Sequence, residues 1–159
     1  MGSTHALRPY RDADAPACAG VFDRAWHAGH PYAPRVIDEA VFLRETAGRR
    51  LIVAACGADR VLGFAGVHVP GAFVHHLYVD PPRAGGGIGR DLLAAALQLA
   101  GGRASLKCRL RNERALRFYE REGWTRGETG FEGGEPWIRL LSPGPRPLPS
   151  LHSGPFAPI

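Results

Sequence analysis

Lysine is all but missing from these 159 residues: Lys107 stands alone, and the other nineteen basic residues are arginine. A lysine-rich block or basic tail is therefore excluded, and the arginines are scattered, which argues against a dedicated nucleic-acid surface. The net charge of +5 still suits a polyanionic small molecule. Cysteine is scarce as well. Cys18, Cys56 and Cys108 are odd in number, far apart and without a C-x-x-C pair, which excludes a disulfide framework and a zinc knuckle. No apolar run approaches the roughly 20 residues of a membrane span, and Met1 to His5 lack the charged head and apolar stretch of an export signal. A cytoplasmic protein without a membrane partner is expected. No internal repeat is visible, and the length fits one domain with a real core.

What is present alternates between strand and helix patterns. His5 to Tyr10 reads as a short strand, after which Asp12 and Asp14 offer N-caps to a helix carrying Ala17, Val21, Phe22, Ala25 and Trp26 at helical spacing. A glycine- and proline-bearing loop, His27 to Pro34, precedes a second, shorter helix from Val36 to about Gly48. Leu51 to Cys56 and Val61 to Val69 predict an antiparallel hairpin, and Phe73 to Val79 a further strand closed by Asp80-Pro81-Pro82. Arg90 to Ala100 predicts a helix ended by Gly101-Gly102, and Ala104 to Leu110 the strand that follows, with a crossover long enough for parallel pairing. Asn112 caps a helix to about Glu122, and Trp124 to Thr129 with Pro136 to Leu141 form a last antiparallel pair around Gly130 to Glu135. The expectation is an α/β domain over 5–141, a mixed sheet with helices on both faces. The tail, 142–159, holds six prolines and is expected to be extended against the domain or disordered.

Two segments carry chemistry. Pro81-Pro82-Arg83-Ala84-Gly85-Gly86-Gly87-Ile88-Gly89-Arg90 places four glycines between a strand end and a helix start, where free backbone N–H groups and the positive end of the helix dipole favour an anion. A Walker A loop would need Gly-Lys-Ser/Thr, and the one lysine lies in another strand. A Rossmann fingerprint would need glycine where Arg90 stands and an acidic residue closing the next strand. What remains is V-x-P-x-x-x-G-x-G-I-G-x-x-L-L, from Val79 to Leu93. The second segment is Asn112-x-x-Ala115-x-x-Phe118-Tyr119-x-x-x-Gly123-Trp124, whose helical spacing sets a small residue one turn before a tyrosine hydroxyl able to act as an acid.

Together, in that chain order, the two segments resemble the GNAT superfamily of acetyl-CoA-dependent N-acetyltransferases, over residues 5–141 and most strongly over 73–124. The resemblance implies that backbone groups of Leu77, Tyr78 and Val79 pair with pantetheine in a gap between two splayed parallel strands. It implies that the N–H groups of Gly85, Gly86, Gly87, Ile88, Gly89 and Arg90 hold the pyrophosphate, that Asn112 touches the pantetheine or thioester region, and that Tyr119 sits at the sulfur. Where the family usually has glutamine or arginine, three residues before Gly87, this chain has Ala84, with Arg83 displaced by one; weaker cofactor binding is the expectation.

On this reading a primary amine of a small molecule, peptide or protein attacks the thioester directly, the Val79 N–H polarises its carbonyl, and Tyr119 protonates the leaving thiolate. With a phenol near 10 and a thiol near 8.5, that proton transfer is uphill by only about 2 kcal/mol. Strict alternation puts Phe73, His75, Leu77 and Val79 on one face of their strand and Val74, His76 and Tyr78 on the other, which makes His75 the expected base. Trp26, His27, His30 and Tyr32, between the first two helices, are expected to line the acceptor pocket. No metal is expected, since His27-x-x-His30 has no carboxylate partner. Two rival readings are a noncatalytic acyl-CoA-binding regulatory module, which Ala84 favours, and an RNA-directed protein, suggested by Arg109, Arg111, Arg114, Arg117 and Arg121. A homodimer through the last strands and the tail is a further expectation.

Overall fold

The computed structural model describes residues 4–144. In chain order the elements are β1 (Ala6–Pro9), α1 (Ala15–Gly29), α2 (Glu39–Thr46), β2 (Arg50–Ala55), β3 (Val61–His68), β4 (Phe73–Val79), α3 (Ile88–Leu99), β5 (Ser105–Arg109), α4 (Glu113–Arg121), β6 (Thr125–Glu132) and β7 (Glu135–Leu141). The seven strands form one sheet in the order β1-β2-β3-β4-β5-β7-β6, antiparallel throughout except for β4 and β5. That parallel pair meets at Phe73↔Ser105, where Ser105 also donates its N–H to the Ala72 carbonyl at 3.0 Å. Beyond this base the two strands part, and the expected mixed α/β fold with a splayed pair is what the chain adopts. The proline-rich tail beyond residue 144 lies outside the described residues.

Helices cover both faces because the sheet is apolar on both. On one side α3 and α4 close a cluster that includes Leu62, Leu92, Ala96, Leu106, Trp124 and Leu140. On the other, α1 and α2 close a cluster built on Phe22, Phe42, Val53 and Phe64. β3 is buried along nearly its whole length, as a central strand with helices on both faces must be.

Three local departures from the sequence expectation have physical causes. Asp14 stands at the N-cap of α1, yet its carboxylate makes no capping bond there; it accepts two bonds at 2.8 Å from the Arg8 guanidinium and one at 2.8 Å from the Arg11 N–H. A bidentate charged fork outcompetes a single cap bond. It also holds the Asp14 carboxyl below its ordinary pKa against the upward push of burial. α3 starts at Ile88, two residues early, because Gly87 with φ 87° supplies a left-handed N-cap. The last hairpin turns on Gly133 and Gly134 alone, both at positive φ, so β6 runs through Gly130 to Glu132 rather than leaving a loop there.

Candidate active site

The glycine turn is fixed at its root. Asp80, buried at the end of β4, donates its N–H to the Leu62 carbonyl at 2.8 Å, and its carboxylate accepts from Arg24 of α1 at 2.9 and 3.2 Å. After a single 3-10 turn over Pro81–Arg83 the chain reaches Gly85 and Gly87, both at positive φ. A Cβ at Gly85 would meet nothing within 4 Å, and one at Gly86 would meet the Arg83 carbonyl at 3.5 Å. The backbone at Gly85 and Gly86 is thus almost unobstructed, just ahead of a twelve-residue helix whose first N–H groups have no intrahelical acceptor. Arg83, Ala84 and Arg90 are exposed around it.

Gly89 is where the two motifs meet. A Cβ there would lie 3.4 Å from Cζ of Phe118 and 3.7 Å from Cγ2 of Val79, so α3, α4 and the end of β4 converge on one small residue. Since the Asp80 N–H points to β3, alternation directs the N–H groups of Leu77 and Val79 away from β3 and toward the gap between β4 and β5. Tyr119 is 9% exposed, edge-on to Phe118 and Trp124. Burial pushes its phenol well above its ordinary pKa, and the neighbouring Cys108 on β5 and Tyr78 on β4 add to the rise, so the ring stands within reach of both splayed strands. Asn112 caps α4, its Oδ1 accepting from the Ala115 N–H at 3.3 Å, while its Nδ2 abuts the end of α1 at Gly29. A glycine at the last position of α1 makes that approach feasible, since a Cβ would come within 3.0 Å of Nδ2.

The residues expected to line an acceptor pocket gather near Asn112. Trp26 donates its indole N–H to the Ala33 carbonyl at 2.8 Å, which folds the loop after α1 back on itself. His30 stacks on Trp26 with ring centres 3.9 Å apart, and Tyr32 lies 5.8 Å from His30 and beneath the Arg111 guanidinium. Desolvation is the main force pushing the His30 pKa down and the Tyr32 pKa up. The Tyr32 hydroxyl is buried without a hydrogen-bond partner among the described residues. His27 turns outward, its Nδ1 donating to the Asp23 carbonyl at 2.7 Å. Among the described residues no three His, Cys, Asp or Glu side chains gather as a metal site.

The alternation expected along β4 breaks at His75. The register passes from Gly66↔His76 to Val67↔Val74, so His75 is the extra residue of a bulge. Parity reverses there: Val74, not Phe73 or His75, joins Leu77 and Val79 on the α3 side, while His76 and Tyr78 pack against Phe22 and Phe64. His75 is exposed beside Phe73 and His68, and His76 is buried. Desolvation first, then neighbouring positive charge, lowers both to about 4. Alternation alone gave no sign of this bulge. Several other features escaped the sequence reading: the Arg24–Asp80 lock, the Tyr78 ring stacked 4.4 Å from Phe22, and Arg35, which pairs with Glu45 and lies over Trp26 and Phe22. The Asp80-Pro-Pro closure was the one available hint of a fixed root.

The model of the acetyltransferase (GNAT) family matches residues 14–124. N-alpha-acetyltransferase RimI of Mycobacterium tuberculosis is 34% identical over 122 residues, covering 72% of this chain and 74% of that protein. An uncharacterized Mycobacterium leprae protein, ML0378, is also 34% identical over 122 residues, but the chain spans only 33% of its length. Among solved structures, apo YjaB from Escherichia coli superposes with a TM-score of 0.75 at 22% identity over 88% of this chain and 98% of that one. PaiA N-acetyltransferase from Thermoplasma acidophilum, in complex with coenzyme A, superposes with a TM-score of 0.70 at 15% identity over 85% and 97%. That family model spans the glycine turn and the capped α4, and the chain belongs to the acetyltransferase (GNAT) family.

Proposed function

We propose that this chain transfers the acetyl group of acetyl-CoA to a primary amine of a small molecule, peptide or protein by direct attack in a ternary complex. One observation carries the reading: the edge of β4 that faces β5 presents the N–H groups of Leu77 and Val79, and the glycine turn and α4, which bears the buried Tyr119, converge on the end of that strand at Gly89. These residues fit the cosubstrate. The backbone of Gly85, Gly86, Gly87, Ile88, Gly89 and Arg90 receives its pyrophosphate, Leu77, Tyr78 and Val79 its pantetheine amides, and Asn112 the region next to the thioester. Bound there, acetyl-CoA supplies an activated acyl group. The name of the mycobacterial RimI relative favours an α-amine as acceptor.

In this mechanism the Val79 N–H donates to the acyl oxygen, and Trp26, His30 and Tyr32 form the wall that orients the amine and excludes water. Tyr119 keeps its proton throughout the neutral range, because burial raises its pKa. The same shift widens its gap to a thiol near 8.5, so proton donation is uphill and is drawn forward by release of the product. His75 accepts the proton of the amine and, being exposed, passes it to solvent; His76, enclosed by Phe22, Phe64 and Tyr78, has no such outlet. With its pKa lowered to about 4, His75 is neutral at working pH but a weak base, so taking the amine proton is uphill and is drawn forward by its loss to solvent.

Thiol release from acetyl-CoA over a panel of amines and peptides, with binding measured by calorimetry, tests the reading. Tyr119→Phe is expected to lower kcat by roughly 10²-fold, the usual weight of a positioned acid, while leaving acetyl-CoA affinity within about twofold. Unchanged kcat from pH 6 to 9 at saturating substrates removes Tyr119 from the reaction. Binding of acetyl-CoA without turnover of any amine establishes the alternative that Ala84 favours, an acyl-CoA-binding module.

A further inference from the structure

β5 and β7 turn one face toward α3 and leave the other open beside α1. Leu106, Cys108, Ile138 and Leu140 fill the α3 side, so Lys107 and Arg109, with their cross-strand partners Arg139 and Trp137, stand on the opposite face. That face borders the acceptor loop. Arg111, two residues past Arg109, lies 4.9 Å over the Tyr32 ring, and Arg139 lies 5.8 Å over Phe73, whose ring is 4.5 Å from His75. Arg109 also acts on His30 and Tyr32, and Arg49, His68 and Lys107 on His75.

Three carboxylates around it lie within ion-pair distance of an arginine, although among the described residues Glu135 Oε2 is buried without a hydrogen bond. Arg139 donates to Glu128 at 2.6 Å, Arg111 lies 3.3 Å from Glu135, and Arg35 pairs with Glu45. Lys107 rests over the Trp137 ring at 4.2 Å, Arg109 donates to the Glu132 carbonyl at 3.4 Å, and the Nε of Arg49 is buried without a hydrogen-bond partner. Among the described residues these last three cations have no carboxylate within ion-pair distance. A lone ammonium approaching them is repelled, and an amine that brings its own negative charge is drawn in.

We infer that the acceptor is an amine bearing carboxylates, which Lys107 and Arg109 hold on the open face of β5. The inference rests on the acetyltransferase reading and names its substrate class. Carboxylates on a free amino acid and on an acidic peptide share the same chemistry here.

The test compares Ala-Glu-Glu-Ala amide, Ala-Gln-Gln-Ala amide, Ala-Arg-Arg-Ala amide and free L-glutamate by thiol release. Equilibrium binding to the protein–CoA complex is followed in parallel by tryptophan fluorescence. The better of the acidic peptide and glutamate is expected to exceed the glutamine peptide by about tenfold in kcat/KM, the arginine peptide to rank last, and the preference to shrink at 0.5 M salt. Which of the two acidic probes is preferred identifies a peptide or a small-molecule source. Lys107→Met, which keeps an apolar stem over Trp137, is expected to remove most of the preference through KM and Kd. Arg121→Glu on the exposed side of α4 is expected to leave the preference intact. Equal values for the glutamate and glutamine peptides, preference for the arginine peptide, or an unchanged preference in Lys107→Met overturns the inference. So does displacement of the acidic peptide by an RNA oligonucleotide that binds more tightly. If no probe releases thiol, the transferase reading fails on its own, and the binding constants still decide this one: an acidic preference sustains it and its absence overturns it.

Discussion

Gly89→Ala separates what the first turn of α3 does for the fold from what it does for the cosubstrate. Gly89 is helical, and its missing side chain would lie 3.4 Å from Phe118 and 3.7 Å from Val79, both ordinary contact distances. The methyl therefore fits, and replacing a helical glycine by alanine stabilises by about 0.5–1 kcal/mol. For a domain of this size that corresponds to a rise in Tm of about 1–4 °C. The same methyl narrows the space between the end of β4 and α4, beside the backbone proposed to receive the pyrophosphate. Loss of one charge-assisted bond there costs about 1.5–3 kcal/mol, which weakens acetyl-CoA roughly tenfold to a hundredfold. Differential scanning fluorimetry and calorimetric titration with acetyl-CoA read the two effects on the same sample. A protein that is more stable yet binds acetyl-CoA as tightly as the parent would falsify the placement of the pyrophosphate. A fall in Tm would show instead that Phe118 cannot accommodate the methyl.

Two further outcomes follow from charges buried near the site. His76 titrates at about 4 in the fold against 6.5 in the unfolded chain, so between those values the unfolded state binds the extra proton and stability declines as pH falls, with no contribution above about 6.5. Its share of the acid loss is about 3 kcal/mol at full titration. His76→Phe, which keeps a ring among Phe22, Phe64 and Tyr78, should flatten the dependence of Tm on pH from 6.5 to 4; a slope equal to that of the parent rules this out. Arg24→Ala leaves the buried Asp80 carboxylate without its partner. Because Arg24 itself is half-exposed, we expect a loss of about 2 kcal/mol in urea unfolding together with a raised KM for acetyl-CoA, since Asp80 roots the glycine turn. A raised KM with unaltered stability would contradict the anchoring role.

The order of elements was legible because each carries a local signal that tertiary packing did not override. β4 was bounded correctly by its β-branched and aromatic run and by Asp80-Pro81-Pro82, and α4 by Asn112 and Gly123. The glycine turn was legible for the same reason, since Gly85 and Gly87 adopt the positive φ for which glycine is the default residue. The face of His75 was not legible. A bulge is set by how β3 and β4 pair across Gly66 and Val67, and a period-two reading of one strand holds no information about its partner. The destination of Asp14 was hidden likewise, because its competitor for the cap, Arg8, arrives through the register of β1 on β2. The open basic face was written in Ser105, Lys107 and Arg109, every second residue of β5, yet it acquires meaning only once β7 adds Arg139 opposite Lys107.

The gap itself follows from topology more than from any single side chain. β5 is tied to β7 along its whole length, from Ser105↔Leu141 to Arg109↔Trp137, and β4 is tied to β3 from His68↔Phe73 to Gly63↔Val79. Each of the two strands thus has one fully paired edge, and the crossover through α3 joins them at Phe73↔Ser105 alone. Closing the gap would require one strand to leave its antiparallel partner or the apolar cluster beneath it, in which Leu62, Leu92 and Leu106 are fully or almost fully buried. The unpaired N–H groups of Leu77 and Val79 are therefore held open by hydrogen bonds and packing elsewhere in the sheet, a preorganisation that an extended chain of amides can use without first breaking anything.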